Sequence, residues 1–262
     1  MRWKLIPFVL LAAGALSAAV DPAKDVLLYW PSGHDPRHGE LLREAGVTVV
    51  LLPWPGASST GSFILSCRAA GIATVADLTA ASGAEEARAL AEQAQVAGFA
   101  GVALEGAAFR DETALAAFVT GLKGLDALVF LRPEQLHWRV APALAVLREG
   151  QWPGVRRTWE RIRDEAVMIS SASREPWLDA NSYLVAYLRA VAPERAALLG
   201  YRPDEAAGVK ADRLLPYHSL ELALVEAFAA GGNVVLHPPE KHHAALLAGR
   251  EEMMAAWRTL GQ

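Results

Sequence analysis

A chain of 262 residues with one cysteine and a formal net charge of -4 is long enough to bury a large core in one domain, and no internal disulfide can help it do so. The sequence pI near 6.0 supplies no broad basic field, which excludes nucleic acid and an anionic membrane surface as the expected partner. Eight tryptophans, several beside prolines or charged residues, suit an aromatic-lined cleft better than a core alone.

Arg2 and Lys4 precede an apolar run over 5–16, and Ser17-Ala18-Ala19 then offers the small residues at which a signal peptidase cuts. Residues 1–19 are predicted as an export signal and 20–262 as the barrel domain. The expected location is the periplasm or the cell exterior, with no membrane attachment after cleavage. A retained anchor is the competing reading, although the run is shorter than the ~20 residues of a span. Cys67, flanked in sequence by Leu65 and Ala69, reads as a small buried side chain rather than a reactive thiol.

Beyond the leader, short apolar runs alternate with longer helical segments, the pattern of βα units on a parallel sheet. Strands are predicted at 25–29, 47–52, 72–77, 101–105, 127–131, 167–170, 196–201 and 233–237. Helices are predicted at 38–45, 59–70, 84–97, 111–122, 140–148, 155–165, 178–191, 219–229 and 243–260, one more than the strands require. Ser82-Gly83 before the third helix, Gly98 after it, Asp111 at the fourth and Gly231-Gly232 before the last strand supply caps and stops. The strand count and a length near ~250 residues predict a single (β/α)8 barrel of parallel strands, with an open doubly wound sheet as the alternative. The stretch 134–173 fits the repeat least, and Gln151-Trp152-Pro153-Gly154 reads as a loop before the sixth strand.

In such a barrel the loops after the strands share one face, where chemistry collects. Candidate binding side chains near the strand ends are Trp30, His34, Trp54, Arg132, Glu175, Trp177, Asp179, Asn181, Tyr201, Arg202 and His237, with Asp77 and Glu105 as candidate catalytic carboxylates. Aromatic rings pack on the CH-rich faces of sugars, and amides or carboxylates pair with their hydroxyls. Structural roles compete for several of these. Asp77 can close an Asx turn, Asp179 or Asn181 can cap a helix, and Glu105 can pair with Arg110 or Arg132.

Ala-Gly-Phe-Ala-Gly-Val-Ala-Leu-Glu-Gly, within the tract 84–109, resembles the fourth βα region of TIM-barrel glycoside hydrolases. Gly231-Gly232-Asn233-Val234-Val235-Leu236 is similar to the last strand of the same superfamily. The resemblance implies a secreted barrel that cleaves or binds an oligosaccharide or polysaccharide, with Glu105 where a general acid or nucleophile stands. Glycosidic cleavage uses one carboxylic acid to protonate the leaving oxygen and one carboxylate to attack or to activate water. Asp77 on the neighbouring strand is the expected second group, with Glu175 or Asp179 as substitutes. The seventh strand, which carries the second carboxylate in the best-known retaining barrels, ends here in Gly200-Tyr201-Arg202-Pro203. A catalytically silent barrel that binds carbohydrate or an envelope partner is therefore the rival reading.

A metal-dependent hydrolase built on His34, Asp35 and His237 is a third reading. Pro36 separates His34 from His38, and no His-Glu-x-x-His motif occurs, so no metal or cofactor is predicted. The sequence also lacks a phosphate-binding Gly-x-x-x-x-Gly-Lys-Ser/Thr loop and a Gly-x-Ser-x-Gly nucleophile elbow.

Overall fold

The computed structural model describes residues 20–31, 34–56, 60–139, 144–149, 159–162, 165–168, 176–201, 217–238 and 240–248. Regular alternation occupies the first half: β1 (Leu27–Tyr29), α1 (His38–Glu44), β2 (Val49–Pro53), α2 (Gly61–Ala69), β3 (Ala73–Asp77), α3 (Ala84–Ala97), β4 (Gly101–Glu105), α4 (Glu112–Thr120) and β5 (Asp126–Phe130). The second half holds β6 (Leu144–Glu149), β7 (Trp159–Ile162), β8 (Glu165–Met168), α5 (Pro176–Val191), β9 (Ala196–Tyr201), α6 (Tyr217–Ala229), β10 (Asn233–Leu236) and α7 (Glu240–Leu247). The parallel strands pair in the order β1-β10-β9-β6-β5-β4-β3-β2, and β1 also pairs with β2. The architecture is an α/β fold of the TIM type, with helices between curled parallel strands.

The sixth parallel strand is not the one predicted. Residues 144–149, all but the last expected within a helix, form β6 between β5 and β9. Residues 165–168 belong instead to an antiparallel hairpin with β7, which occupies part of another expected helix. Leu, Ala, Arg and Glu give the segment 144–149 strong helix propensity. A strand flanked by neighbours on both edges also loses the polar alternation that announces strands elsewhere. Between β5 and β6 the described residues carry only a 3-10 turn at Pro133–Gln135, so the chain departs from a strict (β/α)8 repeat. The predicted last helix continues past Leu247 into residues outside those described.

Strand alternation divides the core into two layers. Leu27, Val49, Leu51, Val75, Ala103, Leu128, Phe130, Ala145, Leu198 and Val235 fill the barrel interior. Leu28, Val50, Leu52, Ala76, Val102, Leu104, Val129, Leu199, Val234 and Leu236 face the helices. Each large aliphatic side chain so buried contributes roughly 1.5–3 kcal/mol. Cys67 belongs to the outer layer at 0% exposure, and burial pushes its thiol up to about 12, so it is held as an unreactive thiol.

The floor of the barrel is covered by the chain's own lead-in segment. Val20, 6% exposed, joins the interior cluster, and its N–H donates to Asp126 Oδ2 at 3.3 Å. Asn233 Nδ2 donates to the carbonyls of Pro22 at 3.0 Å and Asp25 at 2.7 Å.

Candidate active site at the barrel mouth

The same alternation decides which strand-end residues face the mouth. Glu105 follows Ala103, Asp77 follows Val75, His237 follows Val235 and Tyr29 follows Leu27, all in the interior set. Tyr29 and His237 stack across the β1–β10 junction with ring centroids 4.4 Å apart and planes at 25°. Asp77 is in register with Ala103, so Glu105 lies two residues further along the neighbouring strand. Strand spacing and rise per residue separate the two backbones by about 8 Å, a span that side chains can narrow to the distances of paired carboxylates.

The loops after β4 and β5 are pressed together behind Glu105. A Cβ on Gly106 would fall 2.6 Å from Gln135 Oε1 and 3.2 Å from Leu131 Cδ2, so a larger residue here would displace the Gln135 side chain. Gln135 Oε1 accepts from the Arg132 N–H at 3.1 Å, fixing the Arg132 backbone while its side chain stays exposed. Arg110 pairs with Asp111 at 2.9 Å. Asp77 Oδ1 accepts from the Thr79 N–H at 3.0 Å and Thr79 Oγ1 at 2.6 Å, closing an Asx turn. One oxygen of Asp77 is thus committed to loop structure.

Several expected cleft residues lie on the other side of the strands. Trp30, Trp54 and Tyr201 continue the outward alternation of Leu28, Leu52 and Leu199, and proximity to a strand end concealed that parity. Trp30, 0% exposed, stacks with Phe63 at 6.4 Å and meets His243 edge-on at 4.3 Å. His34 leans on Phe63 at 5.5 Å, and burial holds its pKa below the ordinary imidazole value. Trp54 donates its Nε1–H to the Leu90 carbonyl at 3.2 Å and packs edge-on against Phe99 at 4.9 Å. Asn181, fully buried, donates through Nδ2 to Glu226 Oε2 at 2.8 Å and to Tyr201 Oη at 3.2 Å. Trp177 and Asp179 lie in the backbone of the opening turns of α5, and Glu175 and Arg202 fall outside the described residues.

Two buried titratable groups in the helix layer escaped the sequence reading. Glu226 sits on α6 at 6% exposure. Burial pushes its carboxyl up to about 7 against the opposing Asn181 hydrogen bond, and it helps burial to raise the Tyr201 phenol. His243 is 5% exposed, and burial, then His38 and His34, lower it to about 4. Among the described residues, no group of three or more His, Cys, Asp or Glu side chains is arranged to hold a metal ion.

A third strand also ends on an acidic residue. Ala145 of β6 belongs to the interior cluster, so position 149 shares its face, and Glu149 stands in register with Gly200 of β9. The strand went unrecognised, and its last residue with it. Two signals pointed there: the surplus helix in the predicted count, and the likeness of Val146-Leu147-Arg148-Glu149-Gly150 to Val102-Ala103-Leu104-Glu105-Gly106.

No known protein family matches the chain, and no curated protein matches it in sequence. Among solved structures, a candidate chitinase A from Streptomyces coelicolor is similar over 91% of this chain and 100% of its own, at 10% identity and a TM-score of 0.51. An HpcH/HpaI aldolase from Desulfitobacterium hafniense is similar at 10% identity over 89% and 93% of the two chains, with a TM-score of 0.44. A 3-dehydroquinate dehydratase from Aquifex aeolicus is similar at 10% identity over 81% and 87%, with a TM-score of 0.45. Likeness at this identity establishes the TIM-type fold and no particular chemistry, because one barrel architecture hosts many reactions.

Proposed function

We propose that the chain is an exported barrel that hydrolyses glycosidic bonds of an oligosaccharide or polysaccharide at its strand-end mouth, with Glu105 as the general acid. The observation that carries this reading is the convergence of acidic strand ends, Glu105 foremost, on the interior face, across the ring of strands from the Tyr29–His237 stack. Glu105 in its acid form gives its proton to the leaving glycosidic oxygen as the bond to the anomeric carbon breaks. The stacked rings offer an apolar face to a sugar, and the exposed Arg132 supplies donors for hydroxyls or an anionic substituent.

The alternative is a barrel that binds carbohydrate without cleaving it. Two observations favour it: Asp77 is tied into its own turn, and three expected cleft aromatics are turned away from the mouth. Reducing-sugar release from plant, bacterial and algal glycans by residues 20–262 separates the two. Hydrolysis is expected to fall by about 10²–10⁴-fold in Glu105→Gln, the usual worth of a positioned acid. Glycan binding without turnover, unchanged by Glu105→Gln, selects the silent barrel.

A further inference from the structure

The helix layer is not uniform around the barrel. On α1 the exposed residues are Glu40, Arg43 and Glu44, and on α3 they include Glu85, Glu86, Arg88 and Glu92, the charged face of a helix that meets water. α5 and α6 break that rule. Tyr183, Tyr187 and Val191 recur every four residues along α5, and Leu222, Val225 and Phe228 every three along α6, with exposures from 39% at Leu222 to 68% at Tyr183. The inner sides of both helices are apolar as well, with Val185 and Leu188 on α5 and Ala223 and Ala227 on α6 buried in the core. A helix apolar on both sides belongs inside a structure. Among the described residues of the pair, the only exposed charged side chain is Arg189, which donates to the Ala230 carbonyl at 3.3 Å.

We propose that the joined outer face of α5 and α6 is the docking surface for a second copy of this chain, in a two-fold dimer. The two helices pack against each other, and beneath the face Asn181 on α5 donates to Glu226 on α6 at 2.8 Å, so the two apolar rows are held in one arrangement. Tyr183 and Tyr187 stack with centroids 6.3 Å apart and planes at 18°, which orders part of the surface before a partner arrives. With about 150–250 Å² for a whole aromatic side chain, the six exposed portions amount to roughly 500 Å² of apolar surface, near the top of the range for one patch on a monomer. An apolar centre of that size inside a polar rim makes the ~800 Å² that each partner brings to a standard interface. Charge selects the occupant. Copies of a chain with net charge -4 repel one another least where they meet through a neutral patch, whereas a charged partner or an anionic bilayer finds one arginine there to pair with. Two-fold pairing sets the same rows against each other, so one apolar face supplies both sides of the contact.

The test is sedimentation equilibrium of residues 20–262, which hold every described element, over about 1–100 µM, the weak end of affinities for interfaces of this size. A dimer is expected, with a dissociation constant that rises about 30-fold or more in Tyr187→Glu and in Val225→Glu, because each substituted residue occurs twice in a two-fold contact. Leu65→Glu, at an exposed position on α2, should leave the dimer unchanged. Far-UV circular dichroism matching the unaltered protein guards against loss through misfolding, and Tyr183→Ser, which removes apolar surface without adding charge, weakens the dimer even where a glutamate is not tolerated. A monomer at every concentration overturns the proposal, as does a dimer that both glutamate variants leave intact. In a monomer, binding to phosphatidylcholine vesicles that Val225→Glu abolishes assigns the face to a lipid surface instead. Dimers that appear only when residues 249–262 are removed assign it to the chain's own terminus.

Discussion

The two halves of the barrel are built to different rules. From β1 to β5 the αβ turns contain a glycine at positive φ: Gly46 at 74°, Gly71 at 79°, Gly98 at 90° and Gly124 at 75°. Each follows a helix and releases the chain into the next strand. From β6 onward, among the described residues, only the approach to β10 carries such a residue, Gly231 at 81°, and β7 and β8 form a separate hairpin. The lesson is that punctuation, more than propensity, made the first half readable. β6 lacks a glycine stop before it, and its helix-forming composition then went unopposed.

Two glycines with equivalent jobs sharpen this contrast. A Cβ on Gly101, at the start of β4, would lie 2.7 Å from the Asp126 carbonyl oxygen, and one on Gly232, just before β10, 2.9 Å from the Ala197 carbonyl oxygen and 3.0 Å from Val185. Gly101→Ala is expected to cost about 3 kcal/mol, the upper range for overpacking a close contact. Gly232→Ala should cost about 2 kcal/mol, because its closest backbone contact, at 2.9 Å, is looser than the 2.7 Å at Gly101. Urea unfolding of both variants checks the pair, and equal costs would mean the second half is as unyielding as the first.

The next largest effect concerns pH. The Glu226 carboxyl titrates at about 7 in the folded protein and near 4.3 when unfolded. Its favourable contribution is therefore complete below the unfolded value and is lost as pH rises through 7. Glu226→Gln should raise the melting temperature at pH 8 by about 5 °C, equivalent to roughly 2 kcal/mol for a chain of this size, and change it little at pH 4. His243 has the opposite sign. Its folded value of about 4 lies below the unfolded one, so the stability it contributes is present above pH 6.5 and lost as pH falls toward 4. Thermal unfolding between pH 4 and 8 measures both slopes.

The smallest effect belongs to the well-punctuated half. Asp111 caps α4 by accepting from the Ala114 N–H at 2.9 Å. Asp111→Ala should cost about 1 kcal/mol, a fall of about 3 °C in melting temperature by calorimetry.

Local chemistry made much of the fold legible. Seven of the eight parallel strands fell within a residue or two of their predicted positions, because apolar runs, caps and glycine stops agreed with one another. Glu105 was legible for the same reason, standing last in a strand bounded by Gly101 and Gly106. Trp30, Trp54 and Tyr201 drew attention through their neighbourhood, but which face they occupy depends on a period of two counted from the core, and a shift of one residue reverses it. Glu226 and Asn181 lie 45 residues apart in sequence, so nothing local announces their hydrogen bond. Glu149 was hidden by its strand, whose composition favours a helix and whose place between β5 and β9 is decided by distant partners.

The covered floor ties the chain's start to the core. In a chain cut between Ala19 and Val20, the amide that now donates to Asp126 Oδ2 at 3.3 Å becomes a primary ammonium beside a carboxylate. A neutral hydrogen bond turns into a charge-assisted one. Removal of residues 1–19 would then tighten this joint of the barrel. A protein beginning at Val20 should melt above one beginning at Met1 at pH 6.5, by about 1 kcal/mol of added stability. Asp126→Asn should erase that gap, and so should a pH high enough to discharge the amine.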